Sequence, residues 1–174
     1  MRPETHRFED DGAIPNNPDL PVLVYHDVTD VAAGPASCEE LFDANGWGGS
    51  WRDGVFSFHH FHSVSHEALG VVGGTATIQL GGSQGRPFEV RPGDVLVLPA
   101  GTGHCNLGAA PDFLVVGAYP RGQERYDIRR GNPAEHDEAL AAIRRVALPK
   151  ADPVGGRDGA LVELWSGERR GAPA

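Results

Sequence analysis

The histidines of this chain are concentrated in one region, which makes metal binding the first chemistry to consider. The sequence has 174 residues and eight histidines, five of which lie between His59 and His104. His60 and His62 are two residues apart, so on a strand both imidazoles would point to one face. Glu67 adds a carboxylate shortly afterwards, and His104 follows a glycine-rich turn. Three imidazoles and one carboxylate at one point are ligands for Fe(II), Mn(II), Ni(II), Zn(II) or Cu(II).

Apolar side chains accompany these candidate ligands. Phe56 and Phe58 share the strand parity of the two neighbouring histidines, and Leu69 and Val71 share that of the carboxylate. We expect these four side chains to line a pocket, together with Trp51 from the preceding loop. Such walls would keep water away from a reactive centre.

Short apolar segments separated by glycine and proline predict the all-β domain that would position these residues. The chain has 24 glycines and 14 prolines, and 40% of its residues are hydrophobic, which is enough for one core. Short strands at a spacing of about 8–12 residues are typical of a sandwich or small barrel. The predicted strands are 20–28, 55–62, 68–72, 76–80, 95–99 and 113–118.

Two helices and a closing strand are predicted beside these strands. Ser37, with Glu40 three residues later, has the pattern of a capping box and predicts a short helix that ends near Asn45. After Asn132, mainly apolar residues recur at helical spacing, which predicts a C-terminal helix. Segment 161–165 is mainly apolar and predicts a last strand that closes a sheet edge.

Two spaced motifs in the histidine-rich region resemble those of the cupin superfamily. The residues that match the first motif are Gly54, His60, His62, Glu67 and Gly74, and those that match the second are Gly93, Pro99, Gly101 and His104. The chain as a whole is similar to a group of functionally uncharacterised single-domain bacterial cupins. This resemblance implies a single-domain cupin fold, a double-stranded β-helix or jelly-roll barrel, with a short N-terminal helix and a C-terminal helix.

The resemblance also implies a ligand set and a domain plan. In cupins the two histidines and the glutamate of the first motif, with the histidine of the second, hold one divalent transition metal. Carried over, these ligands are His60, His62, Glu67 and His104, and the ion is Fe(II), Mn(II), Ni(II) or Zn(II). We expect an N-terminal arm over 1–19, the cupin barrel over 20–130, and over 131–174 a C-terminal helix and closing segment packed on the barrel.

Several nearby residues have a functional and a structural interpretation. His26 and Tyr119 are candidate catalytic acid–base groups, although a single histidine on a strand is more often structural. His66 could replace the neighbouring glutamate as a ligand or lie on the opposite face of the strand. Arg52 and Arg121 could bind a substrate carboxylate or lie on the surface.

Three functions remain open at this point. A metal with two free neighbouring positions would suit an oxygenase or oxidoreductase of the dioxygenase type that acts on a small molecule. The same metal, used only as a Lewis acid, would suit an isomerase, an epimerase or a lyase. The third possibility is a non-catalytic protein that binds a metal or a small ligand.

The composition limits which binding partners and which cellular location we expect. Acidic residues outnumber basic ones 24 to 15, a net charge of −9, which argues against a nucleic-acid partner. The apolar runs are shorter than the roughly 18 residues of a membrane span, and no secretory signal is recognisable at Met1. Two cysteines cannot form a disulfide framework. We therefore expect a cytoplasmic protein with a small-molecule ligand or substrate, and a homodimer paired through the strand edges at 20–28 and 161–165.

Overall fold

The computed structural model describes residues 1–170, which contain nine strands, four α-helices and one 3-10 turn. In chain order these are β1 (Glu4–His6), β2 (Val22–Tyr25), α1 (Thr29–Ala32), α2 (Pro35–Ala44), β3 (Trp47–Asp53), β4 (Glu67–Gly73), β5 (Ala76–Leu80), β6 (Arg86–Val90), β7 (Val95–Leu98), β8 (His104–Ala109), β9 (Leu114–Pro120), the 3-10 turn (Pro133–Glu135), α3 (His136–Arg145) and α4 (Ala160–Arg170). None of the helices within this range has both the length and the apolar character that a membrane span requires.

The strands form two antiparallel sheets. Six strands lie in the order β1-β2-β7-β4-β9-β3, and three lie in the order β6-β5-β8. Apolar side chains from both sheets share one cluster, including Val22, Leu69 and Leu96 from the large sheet and Ile78 and Leu80 from the small one. The predicted all-β fold, with two antiparallel sheets around one shared core, is therefore confirmed.

The inner strands of the large sheet (β2, β7, β4 and β9) are buried on both faces, which explains their nearly continuous apolar sequences. In β2, Val22 and Val24 face the other sheet, whereas Leu23 and Tyr25 pack with helical residues such as Phe42. All four β2 residues are buried. Strands covered on both faces lose the apolar–polar alternation that marks a half-exposed strand. By contrast, β5 of the small sheet alternates between buried and half-buried residues.

The N-terminal segment is tied to the barrel. Strand β1 pairs with β2 in antiparallel register. The buried Asn16 donates a hydrogen bond to the carbonyl of Gly81 at 3.1 Å and accepts one from the amide of Gly103 at 3.1 Å. Asn17 donates to the carbonyl of Ala100 at 2.8 Å. These contacts brace the turn that precedes His104.

Segment 55–62, predicted as a strand, is instead irregular. His60 forms a bridge with His104, and the next residue, Phe61, forms one with Arg129. Each of these pairings is an isolated bridge that does not extend to the neighbouring residues, so no continuous ladder forms there. The strand parity that grouped Phe56 and Phe58 with the histidines therefore does not apply.

Two other predictions from the pattern were wrong. The loop expected at 47–51 belongs to β3, which pairs with β9 around a bulge between Gly48 and Trp51. Segment 161–165 is helical, because Leu161 and Trp165, four residues apart, share the buried face of α4. The buried carboxylate of Asp152 accepts a hydrogen bond from the Leu161 amide at 2.9 Å, which satisfies a donor at the start of this helix. Neither 161–165 nor β2, which lies between β1 and β7, forms a sheet edge.

Candidate metal centre

Three histidine side chains and one carboxylate meet at one end of the barrel. Glu67 is the first residue of β4 and His104 the first of β8, whereas His60 and His62 come from the irregular segment between β3 and β4. All four side chains are buried. One nitrogen of each histidine lies within 4.8 Å of one nitrogen of the other two. Glu67 Oε2 lies 3.3 Å from both His62 Nε2 and His104 Nε2. The cluster of three histidines could therefore bind a metal ion.

Backbone carbonyls orient all three imidazoles. His60 Nδ1 lies 3.1 Å from the carbonyl oxygen of Phe58, and His104 Nδ1 lies 3.0 Å from that of Thr102. His62 Nδ1 makes the same contact with the carbonyl oxygen of Asp127. Because a carbonyl only accepts, each Nδ1 must carry the hydrogen, which leaves Nε2 as the nitrogen available for a ligand bond. This is the usual arrangement around a metal-binding histidine.

One oxygen of the Glu67 carboxylate is fixed by a hydrogen bond, and the other faces the histidines. Tyr119 donates a hydrogen bond to Glu67 Oε1 at 2.9 Å, and Trp51 Nε1 donates to the Tyr119 oxygen at 2.8 Å. The buried Glu67 Oε2 accepts no hydrogen bond of good geometry from the described residues. A buried carboxylate oxygen facing imidazole nitrogens fits a cation that all of them share.

The pKa values of the centre also indicate that its carboxylate needs a positive charge beside it. Burial, together with repulsion from His104, lowers the pKa of His60 to about 3. Burial alone would lower the pKa of His62, but the adjacent Glu67 carboxylate raises it above its ordinary value. Burial would raise the pKa of Glu67, yet His62 and His104 hold it below its usual range. The buried carboxylate therefore needs either a proton on a neighbouring imidazole or a bound cation.

A cavity of about 350 Å³ opens onto these four side chains. Among the pocket residues expected from the sequence, the structure puts Trp51, Phe56 and Leu69 on its walls. Tyr119, one of the two candidate acid–base groups, also lines it. Burial and the nearby Glu67 raise the pKa of Tyr119, so its hydroxyl keeps its proton.

Three of the residues singled out from the sequence lie elsewhere. Phe58 stacks on the back of the Phe56 ring, with centroids 4.8 Å apart. Val71 is buried in the apolar cluster between the two sheets, one strand repeat beyond Leu69. His26 lies at the surface, where its Nδ1 is 2.7 Å from the Asp94 carboxylate. These positions follow from the irregular course of segment 55–62 and from the depth of the barrel.

The alternative ligand His66 faces away from the centre. Its Nδ1 accepts a hydrogen bond from the Ala100 amide at 2.9 Å. Its ring packs 4.8 Å from the ring of Trp165 in α4. The alternation of side chains about the start of β4 explains why Glu67 and its neighbour lie on opposite faces.

Two cavity residues could not be found from the sequence. Tyr126 stacks on Tyr119 at 4.4 Å and meets the edge of the His62 ring at 5.0 Å, and Ile128 lies close by on the wall. Both come from the irregular segment after β9, which has no hydrophobic period to read. The bridge between Arg129 and Phe61, which brings this segment to the cavity, is a long-range contact that only the structure shows.

The two arginines considered as substrate clamps are paired with acids. Arg52 lines the cavity, but its guanidinium makes two hydrogen bonds of 2.7 Å to the carboxylate of Glu39. Arg121 makes an ion pair of 2.8 Å with Asp43. Either guanidinium would therefore have to break its ion pair in order to turn towards the histidines.

The solved structures that resemble this chain share little sequence with it. No protein-family model matches the chain. Among solved structures, procruciferin, an 11S globulin from Brassica napus, is 15% identical with a TM-score of 0.41 over 80% of this chain and 38% of its own. Oxalate decarboxylase from Bacillus subtilis is 19% identical with a TM-score of 0.35 over 68% of this chain and 29% of its own. The chain thus spans well under half the length of either.

A curated relative matches over nearly the full length of both sequences. YjlB of Bacillus subtilis (strain 168), described as an uncharacterized protein, is 42% identical over 162 residues. These residues are 93% of this chain and 96% of YjlB. The chain belongs to the same protein family as Bacillus subtilis YjlB.

Proposed function

We propose that this protein is a metal-dependent oxygenase or oxidoreductase that acts on a small molecule. The observation that carries the proposal is the convergence of His60, His62, His104 and Glu67 at the base of a cavity. The ligands would be the three Nε2 atoms and Glu67 Oε2. When bound, a redox-active divalent ion such as Fe(II) or Mn(II) would supply electron transfer to O₂ and Lewis acidity towards a chelating substrate.

The protein's own contribution is to prepare the ligands and to exclude water. The carbonyls of Phe58, Thr102 and Asp127 hold the imidazoles in one tautomer. Tyr119 holds Glu67 through Oε1. The cavity lies at the small end of the range for ligand sites, so a compact molecule would fill it and displace its water.

The position of the acid–base groups favours oxidation over isomerisation. A metal-dependent isomerase or lyase needs a base beside the substrate. The hydroxyl proton of Tyr119 is donated to Glu67, and His26 is bound to Asp94 outside the cavity. Neither residue is free to accept a proton from a molecule in the cavity, so an isomerase, epimerase or lyase would have to use Glu67 or Asp53, the carboxylates of the lining, as its base.

The first experiment measures metal content. The protein purified without added metal, and again after reloading with Fe(II), Mn(II), Ni(II) or Zn(II), is analysed for bound ions. We expect about one ion per chain, and strong loss of it in His60→Ala. The matched control is His59→Ala, which removes the adjacent histidine that lies outside the cluster. Equal metal content in the two variants would contradict the proposed centre.

The second experiment separates the three functions. Oxygen consumption by the Fe(II)-loaded protein is measured with a panel of catechols, diketones and thiols. We expect consumption with one of these classes and its loss in His60→Ala. Turnover that is the same under argon would favour a non-redox enzyme. Tight binding without turnover would favour a non-catalytic binding protein, and either result would overturn the oxygenase proposal.

The homodimer and the cytoplasmic location stay predictions. The two segments expected to pair between copies are not sheet edges, so a dimer would need another surface. Light scattering distinguishes a chain of 18.5 kDa from a particle of twice that mass.

A further inference from the structure

We propose that the substrate is a compact and mainly apolar molecule that carries one chelating group and no second anionic group. This inference rests on the proposed function, since it describes what the same cavity would take. Three features of the cavity support it: aromatic walls, an exposed apolar rim, and the absence of an available cation among its described lining residues.

Aromatic rings flank the histidines on two sides. On one side Phe56 stacks on Phe58 and meets the His60 ring edge-on at 5.2 Å. The guanidinium of Arg130 lies 3.9 Å from the Phe58 ring centroid. Each ring of this stack therefore has a second contact that favours its orientation.

A second aromatic stack lines the cavity beside His62. Tyr119 and Tyr126 lie with centroids 4.4 Å apart and an interplanar angle of 21°. Tyr126 also meets the edge of His62. With Phe56, these rings make the walls of the cavity largely aromatic, which favours flat or narrow apolar groups.

The rim of the cavity exposes large apolar side chains. Phe56 is 49% exposed, Ile128 47% and Tyr126 39%. All three line the cavity. Apolar side chains grouped at the mouth of a pocket gain free energy when a ligand covers them, so they add affinity for the apolar part of the substrate.

The charges at the site disfavour a second anionic group. Among the described residues that line the cavity, Arg52 is the one arginine or lysine, and Glu39 already occupies its guanidinium. Asp53 adds a carboxylate to the same lining. A remote carboxylate or phosphate on the substrate would be desolvated near Asp53 without a cationic partner. A chelating group is different, because the metal itself would neutralise it.

The test compares two ligands that differ in one charge. The Zn(II)-loaded protein, which does not consume the ligand oxidatively, is titrated calorimetrically with 3,4-dihydroxybenzamide and with 3,4-dihydroxybenzoate. The two have the same chelating group and nearly the same size, but the second carries a carboxylate. We expect the amide to bind about ten-fold more tightly or better, and Asp53→Asn to narrow the difference.

A second pair of variants tests the apolar rim. Phe56→Ala should weaken amide binding by about ten-fold, because it removes one aromatic wall. Leu107→Ala is the matched control: its side chain is 57% exposed and lies outside the cavity, so binding should not change. The Zn(II) content of every sample is measured beside the titration.

The outcomes distinguish this inference from the proposed function. Equal affinity for the amide and the acid in a protein that holds Zn(II) would overturn the inference and leave the metal centre intact. Failure of the metal-loaded protein to bind either ligand would also overturn it, because the walls are expected to add affinity to the chelating group. If the unmodified protein did not bind a metal ion at all, the proposed function itself would be overturned.

Discussion

Gly117→Ala should displace the tryptophan that supports the metal centre. Trp51 and Gly117 are paired residues of β3 and β9, and the indole lies directly over the glycine. A Cβ added at Gly117 would lie 2.1 Å from Trp51 Cε2 and 2.2 Å from Cζ2. Ordinary carbon–carbon contacts are about 3.5–4.0 Å, so the ring must move by more than about 1 Å. That movement would break the 2.8 Å hydrogen bond from Trp51 to Tyr119.

The size of the effect follows from three terms. Forcing an extra methyl group into a packed site costs about 1–3 kcal/mol. Loss of the hydrogen bond to Tyr119 adds about 1 kcal/mol. The smaller backbone entropy of alanine in the unfolded chain offsets about 0.4–1 kcal/mol. We therefore expect Gly117→Ala to lower the free energy of unfolding by about 2 kcal/mol.

A double-mutant cycle gives the decisive measurement. In the Trp51→Ala background the indole is gone, so Gly117→Ala should be neutral or should stabilise the protein by up to about 1 kcal/mol. Free energies of unfolding come from urea denaturation followed by circular dichroism. The control is Gly108→Ala in β8, where an added Cβ meets no atom within 4 Å. The same destabilisation by Gly117→Ala with and without Trp51 would refute the steric reasoning.

Three further predictions concern the rest of the molecule. Burial raises the pKa of the Cys38 thiol to about 12, so a thiol reagent at pH 8 should modify Cys38 in urea and not in the folded protein. Asp152→Ala should lower the free energy of unfolding, measured by urea denaturation, by about 3 kcal/mol, because it leaves the Tyr25 hydroxyl and a helix amide without an acceptor. Asp152→Asn keeps an acceptor oxygen, so it should lower the free energy of unfolding by less. Hydrogen bonding to Asp10 raises the pKa of His136 above 6.5, so this pair stabilises the fold below about pH 6.5 and the stabilisation is lost as the pH rises through the raised pKa. NMR titration should show the His136 pKa falling in Asp10→Asn, and an unchanged pKa would contradict this ion pair.

The strands with regular patterns could be predicted from the sequence, and the irregular segments could not. The predicted strand 76–80 coincides with β5, and 68–72 lies within β4. Segment 55–62 is also rich in apolar residues, yet it forms isolated bridges and no ladder. Local composition reports how a strand packs, whereas the choice of partner depends on distant parts of the chain.

The C-terminal segment illustrates the same limit. Residues 161–165 are compatible with a strand or with a helix when they are considered alone. The helix is selected because Leu161 and Trp165 both fit against the outer face of the large sheet. Asp152, nine residues earlier, satisfies the first turn. Burial and capping by distant residues override a short apolar pattern.

The sequence by itself determined which side chains have the chemistry of metal ligands and where they lie along the chain. The spacing of His60, His62, Glu67 and His104 identified all four residues that meet in the structure. The match to two spaced motifs identified these residues; local backbone geometry did not, since His60 and His62 lie in an irregular segment and His104 comes from a distant strand.

Only the tertiary structure decided how these side chains are oriented and what surrounds them. The Asp127 carbonyl that orients His62 lies 65 residues away in sequence, and the Tyr119 hydroxyl that holds Glu67 lies 52 residues away. The pairing of Arg52 with Glu39 likewise depends on α2 lying beside β3. Such contacts arise when the sheets and helices pack together, so they depend on the whole fold and not on any local pattern.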